Sequence, residues 1–255
     1  MGTGAITSYV DVAQLTLYAF WIFFAGLIYY LQRESKREGF PLETDLPDGR
    51  VVVTNGLIDM PPAKTYKMKH GDDVTLPNDF RSPQTLNARP AHGWAGAPLE
   101  PVGDPMLAGV GPGAWADRAD RVDVDDEGEP KIRPLRLLPE HGVAGKSPDP
   151  RGMQVTGGDG EVGGVVKDLW LDQSDMLFRY LEVETASGQR VLVPMNFCRV
   201  TRAGVHVRAV MSEQFAQTPM PRSMEQITML EEERIVAYYG AGTLYAHPDR
   251  AEPLI

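Results

Sequence analysis

"TLYAFWIFFAGLIYYLQRESKREGFPLE", residues 16–43, joins an intensely apolar run to a dense group of charged side chains. The 21 residues from 12 to 32 carry no charge. As an α-helix they would extend about 31 Å, which matches a membrane hydrocarbon core of about 30 Å. The whole chain is nevertheless polar, with a net charge of −10 and a mean hydropathy of −0.26. The sequence therefore predicts one membrane-spanning helix attached to an acidic, water-exposed part.

A cleaved signal peptide is the main alternative for this segment. Residues 1–11 carry no Lys or Arg, the apolar run is too long, and no small-residue cleavage pattern follows it. We therefore expect a retained helix. Basic residues follow it at Arg33, Lys36 and Arg37, so the positive-inside bias predicts a periplasmic N-terminus at 1–11 and a cytoplasmic C-terminal part.

One face of the predicted helix carries six residues at 4-3-4-3-4 spacing, with a glutamine at each end. They are Gln14, Tyr18, Trp21, Ala25, Ile28 and Gln32. A partner helix in the membrane could hydrogen-bond the two glutamines, which predicts packing of this face against another subunit. Alternatively, both glutamines lie near the helix ends and reach the lipid headgroups.

The remaining chain divides into a proline-rich and a strand-rich part. Residues 41–112 hold 11 of the 21 prolines, so long helices are not expected, and 33–115 is interpreted as an extended segment that buries its Trp and Met side chains on another surface. Residues 116–255 are predicted to form a mainly-β domain with a C-terminal helix and tail. Its strand-like runs suggest a small barrel or a strongly bent antiparallel sheet.

Local patterns refine this second part. "LEVETASGQRVLVP" predicts a hairpin with Ser187 and Gly188 at its tip. "SMEQITMLEEERI", residues 223–235, has helix-compatible spacing, and the glycines of the following "YYGAGTLY" are expected to break that helix. The lone Cys198 excludes an internal disulfide framework and is expected to be a small core residue.

Motifs for self-contained chemistry are absent or incomplete. "DVDDEGE" begins like an EF-hand loop at Asp123, but the position that needs a bidentate Glu is Pro134. "GVGPGAW" lacks dinucleotide-binding spacing, and the five histidines show no metal-ligand spacing. The acidic net charge argues against nucleic-acid binding. We therefore expect neither a catalytic residue nor a metal site in this chain.

Carboxylates are unusually dense in three blocks. Such runs are usually solvated faces, but crowded like charges also raise one another's pKa, which suits proton capture and relay. The blocks are Asp123, Asp125, Asp126, Glu127 and Glu129; Asp168, Asp172 and Asp175; and Glu231, Glu232 and Glu233.

Ten segments, in order from about residue 18 to residue 247, resemble the H subunit of the photosynthetic reaction centre of purple bacteria. They are "YAFWIFFAGLIYYLQRESKREGFPLE", "GDPM", "GVGPGAW", "KIRP", "AGKSP", "VVKDLWLDQSDMLFRYLEVE", "LVPMNFCRV", "VHV", "MLEEERI" and "GAGTLYA". This resemblance implies a single N-terminal transmembrane α-helix and a cytoplasmic domain that contains a small PRC-type β-barrel.

The resemblance also implies partners and a location. The chain would cap the cytoplasmic face of the L and M subunits in the bacterial inner (intracytoplasmic) membrane, with a cytochrome subunit and a light-harvesting ring in the wider complex. The partners, not this chain, would hold bacteriochlorophyll, bacteriopheophytin, quinones and non-haem iron. The H subunit stabilises the assembly and helps conduct protons to the secondary quinone. The alternative is a membrane-tethered scaffold or assembly factor that uses the barrel as a protein-binding module.

Residue roles follow only where positions match the family. The resemblance implies that Asp172, after "LWL", is a proton-relay carboxylate. Asp175 stands where relatives carry a glutamate near the secondary quinone, and Arg179 matches the arginine that balances that carboxylate. Asp175 and Arg179 would also be able to pair in a helical turn, because they are four residues apart.

The surface entry for protons is expected at the acidic block. Asp125 and Lys131 match the family, whereas Glu127 and Glu129 replace two histidines. Carboxylates bind zinc or cadmium less well than imidazoles do, so weak inhibition of proton uptake by these metals is expected. His70 and Glu232 also fall at family-like positions, and the resemblance places them among the proton-transfer residues.

Overall fold

The structure is a computed structural model that describes residues 4, 11–46, 50–69, 71–78, 85–94 and 96–251. The chain forms two compact units. The first contains residues 1–82 and 93–96, and the second contains residues 83–92 and 97–255.

The first unit begins with helix α1, Val12–Glu34. Asp11 caps it, because the carboxylate Oδ1 accepts a hydrogen bond from the Gln14 N–H at 2.7 Å. The helix is long and apolar enough to cross a membrane, and its side chains are largely exposed, including 75% of Ile22 and 63% of Phe23. An apolar surface of this kind suits contact with lipid or with a partner helix rather than with water.

The charged residues after α1 fasten the end of the helix to the loops that follow. The Lys36 Nζ donates to the backbone carbonyls of Asn55 and Ile58. The Arg37 Nη1 donates to the carbonyls of Pro62 at 2.7 Å and Leu76 at 3.0 Å. Both side chains are buried, so they organise this unit as well as marking the end of the apolar run.

Short hairpins occupy most of the proline-rich part. Each consists of two antiparallel strands. They are β1 (Leu42–Asp45) with β2 (Val51–Thr54), β3 (Lys64–Tyr66) with β4 (Val74–Leu76), and β5 (Ala88–Pro90) with β6 (Leu99–Pro101). The described residues between 38 and 110 contain no α-helix, as the prolines predict.

A bent seven-stranded sheet forms the centre of the second unit. Its strands are β7 (Ile132–Pro134), β8 (Gln154–Thr156), β9 (Val162–Asp172), β10 (Leu177–Thr185), β11 (Arg190–Pro194), β12 (Cys198–Thr201) and β13 (Gly204–Val207). The order is β11-β10-β9-β8-β13-β12, β7 also pairs with β9, and only the β13–β8 pair is parallel. Register shifts between β9 and β10 increase the local twist, so the sheet curls into an unclosed barrel.

The predicted strands and hairpin are confirmed. β10 and β11 pair from Tyr180↔Pro194 to Glu184↔Arg190, and the tip between them contains Gly188, whose φ is +80°. Cys198 packs against the core, and burial raises the pKa of its thiol to about 12. Both observations agree with the predicted small core residue.

Helix α2, Met229–Tyr245, corrects the predicted 223–235 helix at both ends. It begins at the Thr228 cap and continues through Gly240 and Gly242. These glycines allow close packing instead of breaking the helix. A Cβ at Gly240 would lie 2.3 Å from the Pro112 carbonyl oxygen, and one at Gly242 would lie 2.4 Å from that of Ala209. The local cost of a helical glycine, about 1 kcal/mol, is offset by this contact.

The barrel core draws on residues that the sequence assigned to the extended segment. Met106, Ala108 and Val110 are buried in the second unit, and Met106 belongs to the same core as Trp170 and Tyr239. Residues 97–115 therefore fold with the barrel unit, and the compact unit begins before residue 116.

Candidate functional site

Asp172 occupies the last position of β9 and is 2% exposed. Its Oδ1 accepts hydrogen bonds from the backbone N–H groups of Ser174 at 3.1 Å and Asp175 at 3.2 Å. The carboxylate thereby holds the turn between β9 and β10, in which Met176 has a left-handed φ of +54°. Its other oxygen, Oδ2, faces Lys131.

Lys131 connects this buried carboxylate to the acidic block. Its Nζ lies 3.9 Å from Asp172 Oδ2 and 4.0 Å from Asp123 Oδ2. The backbone fixes this arrangement, because the Lys131 N–H donates to the Asp123 carbonyl and the Gln173 N–H donates to the Lys131 carbonyl, both at 2.9 Å. The pairing of β7 with β9 places Ile132 opposite Asp172. One cation therefore stands between a half-exposed carboxylate and a buried one.

The acidic block itself is a tight loop. Val124 and Pro130 form a bridge, and the Asp125 N–H donates to the Glu129 carbonyl. The Asp125 Oδ1 accepts from the backbone N–H groups of Glu127 at 2.9 Å and Glu129 at 3.0 Å. Asp125 is thus occupied in holding the loop. The side chains of Glu127 and Glu129 are exposed, and Glu129 lies 3.9 Å from Arg133.

The proposed pairing of Asp175 with Arg179 in a helical turn is not formed. Asp175 lies in an exposed turn and Arg179 lies in β10, so the two residues do not lie on one face of a helix. Instead, the Arg179 Nη2 lies 4.0 Å from Glu232 Oε2. Within the described parts of the chain, Arg179 forms no ion pair with Asp175.

Glu232 lies in the first turn of α2 and is 7% exposed. The buried Tyr180 hydroxyl donates to its Oε2 at 3.0 Å. Burial raises the pKa of Glu232, whereas the Tyr180 hydrogen bond and the Arg179 charge oppose the rise. The structure therefore brings Arg179 and Glu232 together. The Asp123 carboxylate, which also faces Lys131, adds to the rise in the pKa of Glu232.

A buried ion network was not predicted from the sequence. Glu182, fully buried on β10, accepts from Arg136 Nη1 at 2.6 Å, Arg190 Nη1 at 2.8 Å and Trp170 Nε1 at 3.1 Å. Asp168 lies directly opposite Glu182 in the sheet and is bound by Arg136 at 3.1 Å. Two carboxylates directly opposite each other in a sheet repel, so neighbouring cations are needed to balance them. This need becomes visible only when the register of β9 and β10 is known.

A family model of the photosynthetic reaction centre H-chain N-terminal region matches residues 4–137, more than half of the chain. The chain belongs to this H-chain family. A PRC-barrel domain model matches residues 145–214, which contain β8 to β13. The chain is therefore a subunit of a photosynthetic reaction centre, with an N-terminal apolar helix and a mainly-β domain of the PRC-barrel type. Together with α1, the family membership makes it a membrane-associated, single-pass protein.

Two further sets of predicted residues belong to the N-terminal part of the sequence. His70 lies outside the described residues. On α1, the Gln14 Nε2 donates to the Tyr18 hydroxyl at 3.0 Å, so one of the two glutamines has a partner on its own helix. Trp21 and Ala25 are exposed, and Trp21 packs edge-on to neighbouring phenylalanine rings. Their contact with a partner helix stays a prediction.

Proposed function

We propose that this subunit caps and stabilises the L and M subunits on the cytoplasmic side and helps deliver protons to the secondary quinone. In this proposal the partner subunits hold the bacteriochlorophyll, bacteriopheophytin, quinones and non-haem iron. The helix anchors the chain with residues 1–11 in the periplasm. Light-driven reduction of a quinone to quinol consumes protons, so a cap that covers the quinone must also let protons through.

The observation that carries the proton role is the position of Lys131 between surface and buried carboxylates. Exposed Glu127 and Glu129 surround the loop with negative charge, which raises the local proton concentration. Asp123 is half-exposed and shares Lys131 with Asp172. The Lys131 ammonium has three donors that can rotate between the two carboxylates. We propose that Asp172, which Lys131 links to the surface carboxylate, accepts a proton and passes it on.

Asp175 is proposed as the next carboxylate. The backbone of Asp175 is fixed by Asp172, because its N–H donates to Asp172 Oδ1, while its own side chain is exposed. An exposed carboxylate one turn beyond a buried one can exchange protons with it through water. Arg179 and Glu232 form an ion pair that joins β10 to α2, and we propose that they set the charge around this end of the barrel.

The capping role is supported by apolar surface in the first unit. Besides α1, the strand β2 exposes Val51, Val52 and Val53 to 55%, 46% and 57%, and Leu57 nearby is fully exposed. Consecutive exposed valines are unfavourable in water and suit a surface covered by another subunit or by lipid. This surface favours a subunit held in a membrane complex.

The Asp175→Asn variant tests the relay. We expect slower proton-coupled reduction of the secondary quinone, by about tenfold or more, because a carboxamide cannot carry a proton at neutral pH. The initial charge separation should be unchanged. Flash spectroscopy on the purified complex measures both. Glu225→Gln is the matched control, since it also removes one exposed negative charge. Quinone kinetics equal in both variants would remove Asp175 from the relay.

The absorption spectrum of the purified complex distinguishes the proposed function from the scaffold alternative. A particle that co-purifies with the chain and shows stoichiometric bacteriochlorophyll bands in the near infrared supports the proposed function. A colourless particle would favour a scaffold or assembly factor.

A further inference from the structure

The unclosed side of the barrel forms an apolar groove with a volume of about 320 Å³. Its walls come from the strands β9, β10 and β12, from the corner between β11 and β12, and from the loop 143–150. Apolar side chains at these places include Leu169, Phe178, Met195, Val200, Val143 and Pro148. The groove belongs neither to the Asp172–Lys131 arrangement nor to the Glu232 pair.

One rim of this groove is an open strand edge. Among the described strands, β12 pairs with β13 alone and is the last strand of the sheet. Val200 of β12 lines the groove. The outward backbone N–H and C=O groups of such an edge can pair with another extended polypeptide, which is the geometry of strand addition.

The hairpin formed by β12 and β13 is basic, although the chain as a whole is strongly acidic. The 28 residues from 185 to 212 contain no Asp or Glu and include four arginines. Arg199, Arg202 and Arg208 are exposed on or beside the β12–β13 hairpin. Their side chains form no hydrogen bond or ion pair with the rest of the described chain. By contrast, the fourth, Arg190, is bound to Glu182.

The opposite wall adds to this charge pattern. Lys146, in the loop 143–150, is exposed and likewise forms no ion pair with the described residues. The one carboxylate in that loop, Asp149, is neutralised by Arg151 at 2.6 Å. An apolar groove bordered by unpaired cations complements a ligand with apolar side chains and negative charge.

We propose that this groove binds an acidic, extended polypeptide segment of a partner protein, which adds to β12 as a further strand. Alternate apolar side chains of the segment enter the groove beside Val200, and its carboxylates meet Arg199 and Arg202. A bilayer surface would satisfy the arginines but could not pair with the backbone edge of β12. The edge therefore favours a polypeptide over anionic lipid.

The test uses the full chain in phosphatidylcholine nanodiscs and a fluorescein-labelled peptide, Glu-Val-Glu-Val-Glu-Val. We expect saturable binding and slower amide hydrogen exchange at residues 198–201 when the peptide is present. The same peptide with Lys in place of Glu should bind more weakly, by a factor on the order of ten or more.

Charge-reversal variants make the test specific. R199E/R202E should weaken peptide binding on the order of tenfold, because two rim charges become repulsive. R89E/R234E changes the net charge equally on other exposed elements and should bind as the original chain does. Circular dichroism confirms that the variants fold.

Three results would overturn the proposal. These are equal binding by both double variants, binding without slower exchange at 198–201, and no binding at all. If phosphatidylglycerol nanodiscs slow exchange at 198–201 without peptide, the patch belongs to a lipid surface instead.

Discussion

Replacing Glu182 tests the buried network of the barrel. In Glu182→Gln the charge is lost while the shape is kept, and one of the two arginines then faces an amide N–H instead of a carboxylate oxygen. A hydrogen bond to a charged group contributes about 1.5–3 kcal/mol, and the side chains of Arg136 and Arg190 are 35% and 47% exposed, so water compensates in part. We therefore expect the free energy of unfolding to fall by about 2 kcal/mol.

Glu182→Ala should cost more. It also leaves the Trp170 indole N–H, which is fully buried, without its acceptor, and an unsatisfied buried donor costs about 1–3 kcal/mol. We expect a total loss of about 4 kcal/mol. Urea unfolding of the full chain in detergent micelles, followed by tryptophan fluorescence and circular dichroism, measures both variants.

The matched control is Glu184→Gln, two residues along the same strand. Glu184 is partly exposed and lies 3.1 Å from Lys167 and 3.9 Å from Arg190, so its loss should cost less than about 1 kcal/mol. Equal losses for Glu182→Gln and Glu184→Gln would contradict this reasoning. A gain in stability for Glu182→Gln would show that the cost of burying the carboxylate exceeds its attraction to the arginines.

Two further predictions concern α2 and its surroundings. Gly242→Ala should lower the free energy of unfolding by about 1–2 kcal/mol, because the close contact with a backbone carbonyl outweighs the gain in helix propensity. The control Gly26→Ala, whose added Cβ meets nothing within 4 Å, should not lower it. Urea unfolding midpoints measure both variants, and equal midpoints for the two would refute the packing argument. The hydrogen bond from the Thr228 hydroxyl holds the pKa of Asp120 below its usual value. Its contribution to stability is therefore complete above the usual carboxyl pKa, about 4, and is lost as the pH falls through the lower folded-state value. Asp120→Asn should consequently flatten the fall in stability between about pH 5 and pH 2, and an unchanged slope would argue against this role.

Local sequence patterns predicted the elements whose formation depends on local chemistry. The uncharged run predicted α1 within two residues of its end at Glu34, and the turn at Ser187 and Gly188 predicted the β10–β11 hairpin. The extent of α2 was not predictable, because a glycine weakens an isolated helix but permits close packing in a folded one. Nothing near Gly240 in the sequence shows that the Pro112 carbonyl will lie against it.

The candidate site was predictable in part, for a similar reason. The resemblance placed Asp172 and Lys131 among the proton-transfer residues, and the structure brings them within 3.9 Å. The spacing of Asp175 and Arg179 suggested a pair only because a helix was assumed, and the β-strand at Arg179 directs it to Glu232 instead. These contacts, like the Glu182 network, depend on sheet register and on long-range packing that no single segment specifies.

Asp172→Asn tests the central proposal most directly. Asparagine keeps the Oδ1 that accepts from the Ser174 and Asp175 N–H groups, so the turn should stay intact while the proton site is lost. The measurement is flash-induced proton uptake by the intact complex, followed with a pH-indicator dye together with secondary-quinone kinetics. We expect both rates to fall by about tenfold or more while the rate of charge separation is unchanged. Proton uptake and quinone reduction at the original rates would contradict it.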